Sequence, residues 1–213
     1  MNPSLDAILV LVVLLNFFTL GSSRVSAVIR ATGMQGVLLA TLPFLVHEHF
    51  STHVVLAGLG TLAVKAVALP WLLMRAMRDV TIRREVEPLI GFTTSLLLGG
   101  AGTGLALLFS GGLPLAPEHA ESRLVPAAFA TVFTGFLILT TRRKAITQIV
   151  GYLILENGIF LFGLLLLDAL PVMVELGVLL DLLVGVFVMG IVLHHIQRTF
   201  STIDTARFST LKE

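Results

Sequence analysis

Long apolar stretches, separated by short polar segments, run through the whole chain. A helix needs about 20 predominantly apolar residues to cross the hydrocarbon core of a bilayer, and a membrane β-barrel would instead show segments of about ten residues with alternating hydrophobicity. We therefore predict an all-α, polytopic integral membrane protein with about seven transmembrane helices. The predicted helices cover Pro3–Gly21, Val25–Val46, 53–74, 88–109, Leu124–Thr141, 145–167 and 171–196.

The overall composition agrees with this pattern. Of the 213 residues, 56% are hydrophobic and only 13% are charged, whereas soluble domains carry about 25% charged residues. A soluble globular domain is therefore excluded, and the lipid bilayer is the expected environment. A net charge of +1 gives no reason to expect a nucleic-acid partner. Because no basic segment precedes the first apolar stretch, we expect it to stay as a membrane helix rather than to be cleaved as a signal peptide.

Metal, cofactor and catalytic sites are not predicted for this chain. It contains no cysteine, which excludes an Fe–S cluster, a thiolate metal site and a cysteine nucleophile. Three histidines (His47, His49 and His53) lie close in sequence, but their spacing defines no metal geometry. We interpret three phenylalanines as lipid or partner contacts rather than as a quinone pocket, and leave open a quinone site at a subunit boundary. They are Phe160, Phe162 and Phe187.

The positive charges predict the orientation. In a seven-helix arrangement only Arg123 lies on one side of the membrane, and Lys65 lies within a helix. Basic loops stay in the cytoplasm, so we predict an N-terminus outside and a cytoplasmic C-terminus. Twelve cations lie on the cytoplasmic side: Arg24, Arg30, Arg75, Arg78, Arg83, Arg84, Arg142, Arg143, Lys144, Arg198, Arg207 and Lys212.

When the sequence is aligned with itself at an offset of 120 residues, the first three predicted helices and their flanking charges fall on the last three. This suggests two three-helix units in the same orientation, although any regular polytopic protein gives some overlap of this kind. We predict a first unit over 1–86, a linking helix and outer loop over 87–122, a second unit over 123–198 and a cytoplasmic tail over 199–213.

Three ionisable residues lie inside predicted helices: Lys65, Glu156 and Asp181. Each costs about 2.5–3.5 kcal/mol at the centre of a membrane helix, so they should face protein, partner subunits or water rather than lipid. Tyr152 precedes Glu156 by one helical turn on the same face. Pro70 follows Lys65 closely and is expected to kink the third helix, which leaves a backbone carbonyl near the cation.

These charges allow two interpretations. The three groups could form a proton or ion relay, or a lysine–carboxylate pair could neutralise itself and set the helix register. We assign the proton pathway to Lys65, Glu156, Asp181 and Glu175, although Glu175 lies near a helix end where a solvated carboxylate would also fit. Accessory relay groups are Tyr152, His194 and His195; terminal histidines can also simply complement the helix dipole.

Several motifs resemble those of a known family. They are QI-x-GY-x-x-x-ENG at 148–158, VE-x-G-x-x-x-D at 174–181, TIDTARFSTLK at 202–212, and GLGTLAVKAVALPWLLM, which contains Lys65. Together they resemble the hydrogenase-4 component E family, the membrane subunits of formate hydrogenlyase-type, group 4 [NiFe] hydrogenases. The last three helices are also similar to chain K of NADH–quinone oxidoreductase and to the C subunit of multisubunit cation/proton antiporters.

The resemblance implies a non-catalytic membrane-arm subunit of a complex-I-like oxidoreductase assembly. The subunit would couple redox chemistry in other subunits to proton or sodium movement. Its partners would be antiporter-like membrane subunits and the subunit that anchors the hydrogenase, in a bacterial or archaeal cytoplasmic membrane. Alternatives are a purely structural linker of that assembly and a subunit of a multisubunit antiporter.

Chain K carries two carboxylates in successive helices, and the resemblance extends to individual positions. Glu156 matches the first carboxylate. The second matches Asp181 by its distance from the tail motif, or Glu175 by residue type.

Overall fold

The computed structural model describes residues 3–46, 59, 62–79, 86–112 and 123–166. Within these ranges the regular structure is helical, apart from an isolated β-bridge between Pro88 and Arg142. The elements are α1 (Pro3–Gly21), α2 (Val25–Val46), a π-helical segment (Leu62–Ala68), α3 (Leu69–Asp79), α4 (Phe92–Ser110), α5 (Leu124–Thr141) and α6 (Ala145–Leu166).

Five helices (α1, α2, α4, α5 and α6) are long and apolar enough to cross a membrane. The bounds of α1, α2 and α5 agree with the prediction, and α6 agrees to within one residue. The beginning of α4 was predicted too early: residues 88–91 form a bridge, a bend and the N-cap. The seventh predicted helix, 171–196, lies outside the described residues.

The third predicted helix, expected over 53–74 with a kink at Pro70, differs from the prediction in its bounds and in its hydrogen-bond register. From Leu62 it runs as the π-helical segment and continues as α3 to Asp79, beyond the predicted end. Hydropathy averages do not detect a change in hydrogen-bond register, because that change depends on backbone geometry rather than on how apolar the residues are.

Among the described helices, α5 and α6 form the most extensive contact, and glycines line their crossing. A Cβ atom at Gly151 would lie 2.6 Å from the backbone nitrogen of Leu139, and one at Gly158 would lie 2.5 Å from that of Val132. No larger residue fits at these points without moving the backbone. Small residues at a crossing are the usual way for membrane helices to gain van der Waals contact.

The packed interior has two apolar clusters, one towards each end of the bundle. The first contains Leu20, Val25, Ile29, Leu69, Val150 and Ile154. The second contains Leu9, Val12, Leu39, Leu124 and Leu161. In sequence, the buried polar residues of α1, α2, α5 and α6 other than Thr147 lie between the members of these clusters, so the polar layer is at mid-depth. Its members include Asn16, Gln35, Thr131, Thr134, Glu156 and Asn157.

Backbone hydrogen bonds join the loops at the end of the bundle where α1 ends and α6 begins. The amide of Val86 donates to the carbonyl of Ser23, and that of Arg143 donates to the carbonyl of Glu87. The Glu87 carboxylate also lies 3.2 Å from the Lys144 ammonium. These contacts tie the α1–α2, α3–α4 and α5–α6 connections together.

Candidate functional site

The π-helical segment carries Lys65 to the middle of the bundle. Proline has no backbone N–H, so Pro70 cannot donate an α-helical hydrogen bond to the carbonyl of Ala66, and the chain adopts the wider π-helical register just before it. Such segments are rare and are frequent at functional sites. The distortion that the sequence predicts at Pro70 is therefore a change from π-helical to α-helical hydrogen bonding, and the π-helical turns lie on the N-terminal side of the proline.

Two glycines of α2 make room for this segment. A Cβ atom at Gly36 would lie 2.8 Å from the carbonyl carbon of Lys65, and one at Gly33 would lie 2.9 Å from Cγ of Pro70. The backbone of the segment can therefore lie directly against α2. Because Gly36 is close to the midpoint of the Val25–Leu45 span, Lys65 lies near the centre of the hydrophobic layer.

Lys65 and Glu156 form a buried ion pair at this depth. The lysine Nζ lies 3.9 Å from Oε1 of the glutamate, and each side chain is only 6% exposed. Glu156 is near the midpoint of the Ala145–Leu164 span, so both partners approach the same depth from different helices. The structure thus brings together two of the charges predicted to face the protein interior.

Phe160 is the third member of this site. The Lys65 Nζ lies 5.3 Å from the centre of its ring, within the range of cation–π attraction. Phe160 is buried, which corrects the prediction that it contacts lipid or a partner. It follows Glu156 by four residues and so lies one turn away on the same face of α6, where it contacts the same cation.

The electrostatics of the pair allow a relay or a structural role. Burying two charges away from water has a large desolvation cost, and their mutual attraction offsets this cost only when the two charges are close together. Removing one partner leaves the other charge buried and costs about 3–5 kcal/mol, whereas replacing both by neutral groups is often neutral or stabilising. This difference distinguishes the two roles experimentally.

A chain of buried side-chain hydrogen bonds lies beside the ion pair and was not predicted. The amide of Asn157 donates to Gln35 Oε1 over 3.3 Å, and Gln35 Nε2 donates to Asn16 Oδ1 over 2.7 Å and to the carbonyl of Val12 over 3.1 Å. Asn16 in turn donates to Thr131 Oγ1 over 2.9 Å. The chain links α6, α2, α1 and α5, and we name it the amide chain.

The signal for the amide chain was present in the sequence. Asn16, Gln35, Thr131 and Asn157 are polar residues inside apolar stretches, but a hydropathy average hides single uncharged polar residues. In hydrocarbon each would need a hydrogen-bond partner inside the protein. Two of them, Gln35 and Asn157, are sequence neighbours of Gly36 and Glu156.

Of the remaining predicted pathway residues, Tyr152 lies within the described part of the chain. Tyr152 is half-buried, lies one helical turn before Glu156 and packs against the first apolar cluster. Four other predicted pathway residues lie outside the described residues: Asp181, Glu175, His194 and His195. Within the described ranges, no group of three or more His, Asp or Glu residues could hold a metal ion.

The chain has detectable relatives among known proteins. It is 34% identical over 189 residues to uncharacterised protein Rv0085 of Mycobacterium tuberculosis, covering 88% of this chain and 86% of that protein. It is 26% identical over 148 residues to hydrogenase-4 component E of Escherichia coli and of Shigella flexneri, covering 70% of this chain and 68% of those proteins. No family model matches the chain, and no solved structure matches it.

The identity and coverage of the mycobacterial match are high enough to establish common descent over nearly the whole chain. The matches to component E are more distant and agree with the motif resemblance over 148 residues. The chain therefore belongs to the same family as protein Rv0085 of Mycobacterium tuberculosis, and hydrogenase-4 component E is its distant homologue.

Proposed function

We propose that this chain is a membrane-arm subunit of a complex-I-like, energy-converting hydrogenase-type assembly, and that Lys65 and Glu156 belong to its ion path. The observation that carries this proposal is the buried Lys65–Glu156 pair at mid-depth in the bundle. The distant homology to hydrogenase-4 component E supports the type of assembly. Redox chemistry would take place in other subunits.

The pair offers a simple charge-transfer step. Attraction between unit charges about 4 Å apart is on the order of 4 kcal/mol at an effective dielectric constant of 20. A proton that reaches Glu156 neutralises the carboxylate and removes this attraction from Lys65. The lysine side chain, which is long and flexible, can then turn towards another carboxylate. A sodium ion would act in the same way by competing with Lys65 for the Glu156 oxygens.

The rest of the proposed path follows from the sequence. Asp181 or Glu175 would accept the next charge, and Tyr152, His194 and His195 would be accessory groups. The subunit would lie in a bacterial or archaeal cytoplasmic membrane with its N-terminus outside and its C-terminus in the cytoplasm. Antiporter-like subunits and the hydrogenase-anchoring subunit would be its neighbours.

The first test is Glu156→Gln in the assembled complex, reconstituted in vesicles. Coupled ion translocation per assembled complex should fall at least tenfold, because a neutral amide cannot take up and release a proton at this site. Glu87→Gln is the matched control, since it makes the same chemical change in an ion pair whose carboxylate is exposed. Unchanged translocation in an assembled Glu156→Gln complex would contradict the proposal.

The double variant Lys65→Met/Glu156→Gln separates the relay from a structural linker. Both roles predict better assembly than in Lys65→Met alone, because no buried charge is left without its partner. A relay predicts that translocation stays lost in the double variant. A structural pair predicts that translocation returns with assembly, and that result would favour the linker.

A further inference from the structure

A groove of about 380 Å³ lies between α1, α4 and α5. The Lys65–Glu156 pair lies on other elements, the π-helical segment and α6. Apart from Thr103 and Arg123, the side chains that line the groove are apolar. The Thr103 hydroxyl donates to the carbonyl of Gly99 over 2.8 Å, so its proton is already used inside α4.

The groove extends through about half of the membrane. Arg123 directly precedes α5 and lies at one end of the bundle, and Leu14 marks the deep end of the groove on α1. Leu14 is about 16 Å along α1 from Pro3 at 1.5 Å per residue. Half of the hydrocarbon core is about 15 Å. The groove therefore has the depth of one leaflet.

Close packing ends the groove near the midplane. A Cβ atom at Gly99 would collide with Leu20, and one at Gly102 would collide with the ring of Phe133. Helix α4 thus lies directly against α1 at Gly99 and against α5 at Gly102, next to the groove residue Thr103.

The groove opens sideways to the bilayer. Its rim residues Val10, Leu14 and Leu107 are 45%, 56% and 56% exposed. Arg123, the one cation that the charge pattern puts on its side of the membrane, is also exposed and lines the groove. A positive charge at the membrane interface above an apolar groove matches a phosphate group that is attached to a hydrocarbon chain.

We propose that the groove binds one phospholipid, with an acyl chain between α1, α4 and α5 and its phosphate on the Arg123 guanidinium. Arginine is suited to phosphate because its planar donors can bind two oxygens at once. A transmembrane helix of a partner subunit would need an apolar surface along the full core of about 30 Å. The closure at Gly99 and Gly102 makes one acyl chain the better fit.

The test is native mass spectrometry of the purified full chain after addition of phosphatidylglycerol, phosphatidylethanolamine or diacylglycerol. We expect one bound molecule of either phospholipid and at least fivefold weaker retention of diacylglycerol, which lacks the phosphate. Arg123→Gln should weaken phospholipid retention about fivefold, and Arg123→Lys less. Arg30→Gln, the same change at an exposed arginine away from the groove, should leave retention unchanged.

Filling the groove tests the acyl-chain part. Val13→Phe should abolish retention of the phospholipid, whereas Leu11→Phe, on α1 outside the groove lining, should not. Equal retention by wild type, Arg123→Gln and Val13→Phe would overturn the proposal. A photoreactive residue at position 10 in native membranes should give a phospholipid adduct; an adduct with a protein instead would show that a partner subunit occupies the groove.

Discussion

Arg142 is the largest fully buried side chain in the described part of the molecule. Its guanidinium donates to Ser95 Oγ over 3.2 Å and to the carbonyl of Leu20 over 3.0 Å. It also lies 5.6 Å from the centre of the Phe92 ring. One side chain at the C-cap of α5 therefore holds the end of α1 and the beginning of α4.

Burial lowers the pKa of the Arg142 guanidinium from its usual value. Arginine nevertheless stays protonated at any pH at which proteins are handled. Since both folded and unfolded states then bind the same proton, this residue should add no pH dependence to stability between about pH 5 and 9.

Replacement of Arg142 by methionine should destabilise the bundle by about 2–4 kcal/mol. Two hydrogen bonds to a charged group are lost, and a buried serine hydroxyl and carbonyl lose their donor. Thermal unfolding in detergent micelles measures the effect. Arg143→Met is the control, because Arg143 is adjacent in sequence but exposed. Equal melting temperatures for the two variants would contradict the assigned role.

At the scale of the elements, the amide chain explains how four helices keep one register at mid-depth. Gln35 uses both its amide donor and its carbonyl oxygen in this chain. In an apolar layer a displaced helix would leave these groups without partners, which costs more than in water. Because Gln35 and Asn157 adjoin Gly36 and Glu156, their hydrogen bond also restrains the two surfaces that carry the ion pair.

Gln35→Leu and Asn157→Leu should each lower the free energy of unfolding by about 1–2 kcal/mol. Their coupling in a double-mutant cycle should be about 0.6–1.7 kcal/mol, as found for hydrogen bonds between membrane helices. Unfolding of the full chain in mixed micelles gives these values. The control is Thr41→Val, whose exposed hydroxyl only donates to its own helix at Leu38. Additive effects of the two leucine variants would contradict a direct hydrogen bond.

At the scale of the whole molecule, the positive charges predict a single orientation in the membrane. The chain contains no cysteine, so single introduced cysteines can report on the side of each loop without background. Ser23→Cys and Arg143→Cys should react with an impermeant maleimide only in inverted vesicles. Gly112→Cys, at the other end of α4, should react only in right-side-out vesicles. Reaction of all three from the same side would contradict the predicted topology.

The described structure tests the predicted helices but not the predicted division into units. The all-α character and five of the seven predicted helices agree with the described part of the structure. The division into units over 1–86, 87–122, 123–198 and 199–213 stays a prediction. Asp181, Glu175 and the two terminal histidines also stay predictions, because they lie outside the described residues.

The sequence by itself determined that the chain is a helical membrane protein and where most helices begin and end. It also identified Lys65 and Glu156 as charges that must face protein or water. These properties depend on local apolar character, on helix length and on the cost of a charge in hydrocarbon, all of which can be assessed one segment at a time.

Only the tertiary structure decided which residues meet. It paired Lys65 with Glu156, buried Phe160 against the lysine and joined Asn16, Gln35 and Asn157 into the amide chain. Such contacts depend on the distance at which helices cross, and glycines such as Gly36 and Gly151 determine that distance. Periodicity along one helix contains no information about the residue that lies opposite on another, so these contacts required the assembled bundle.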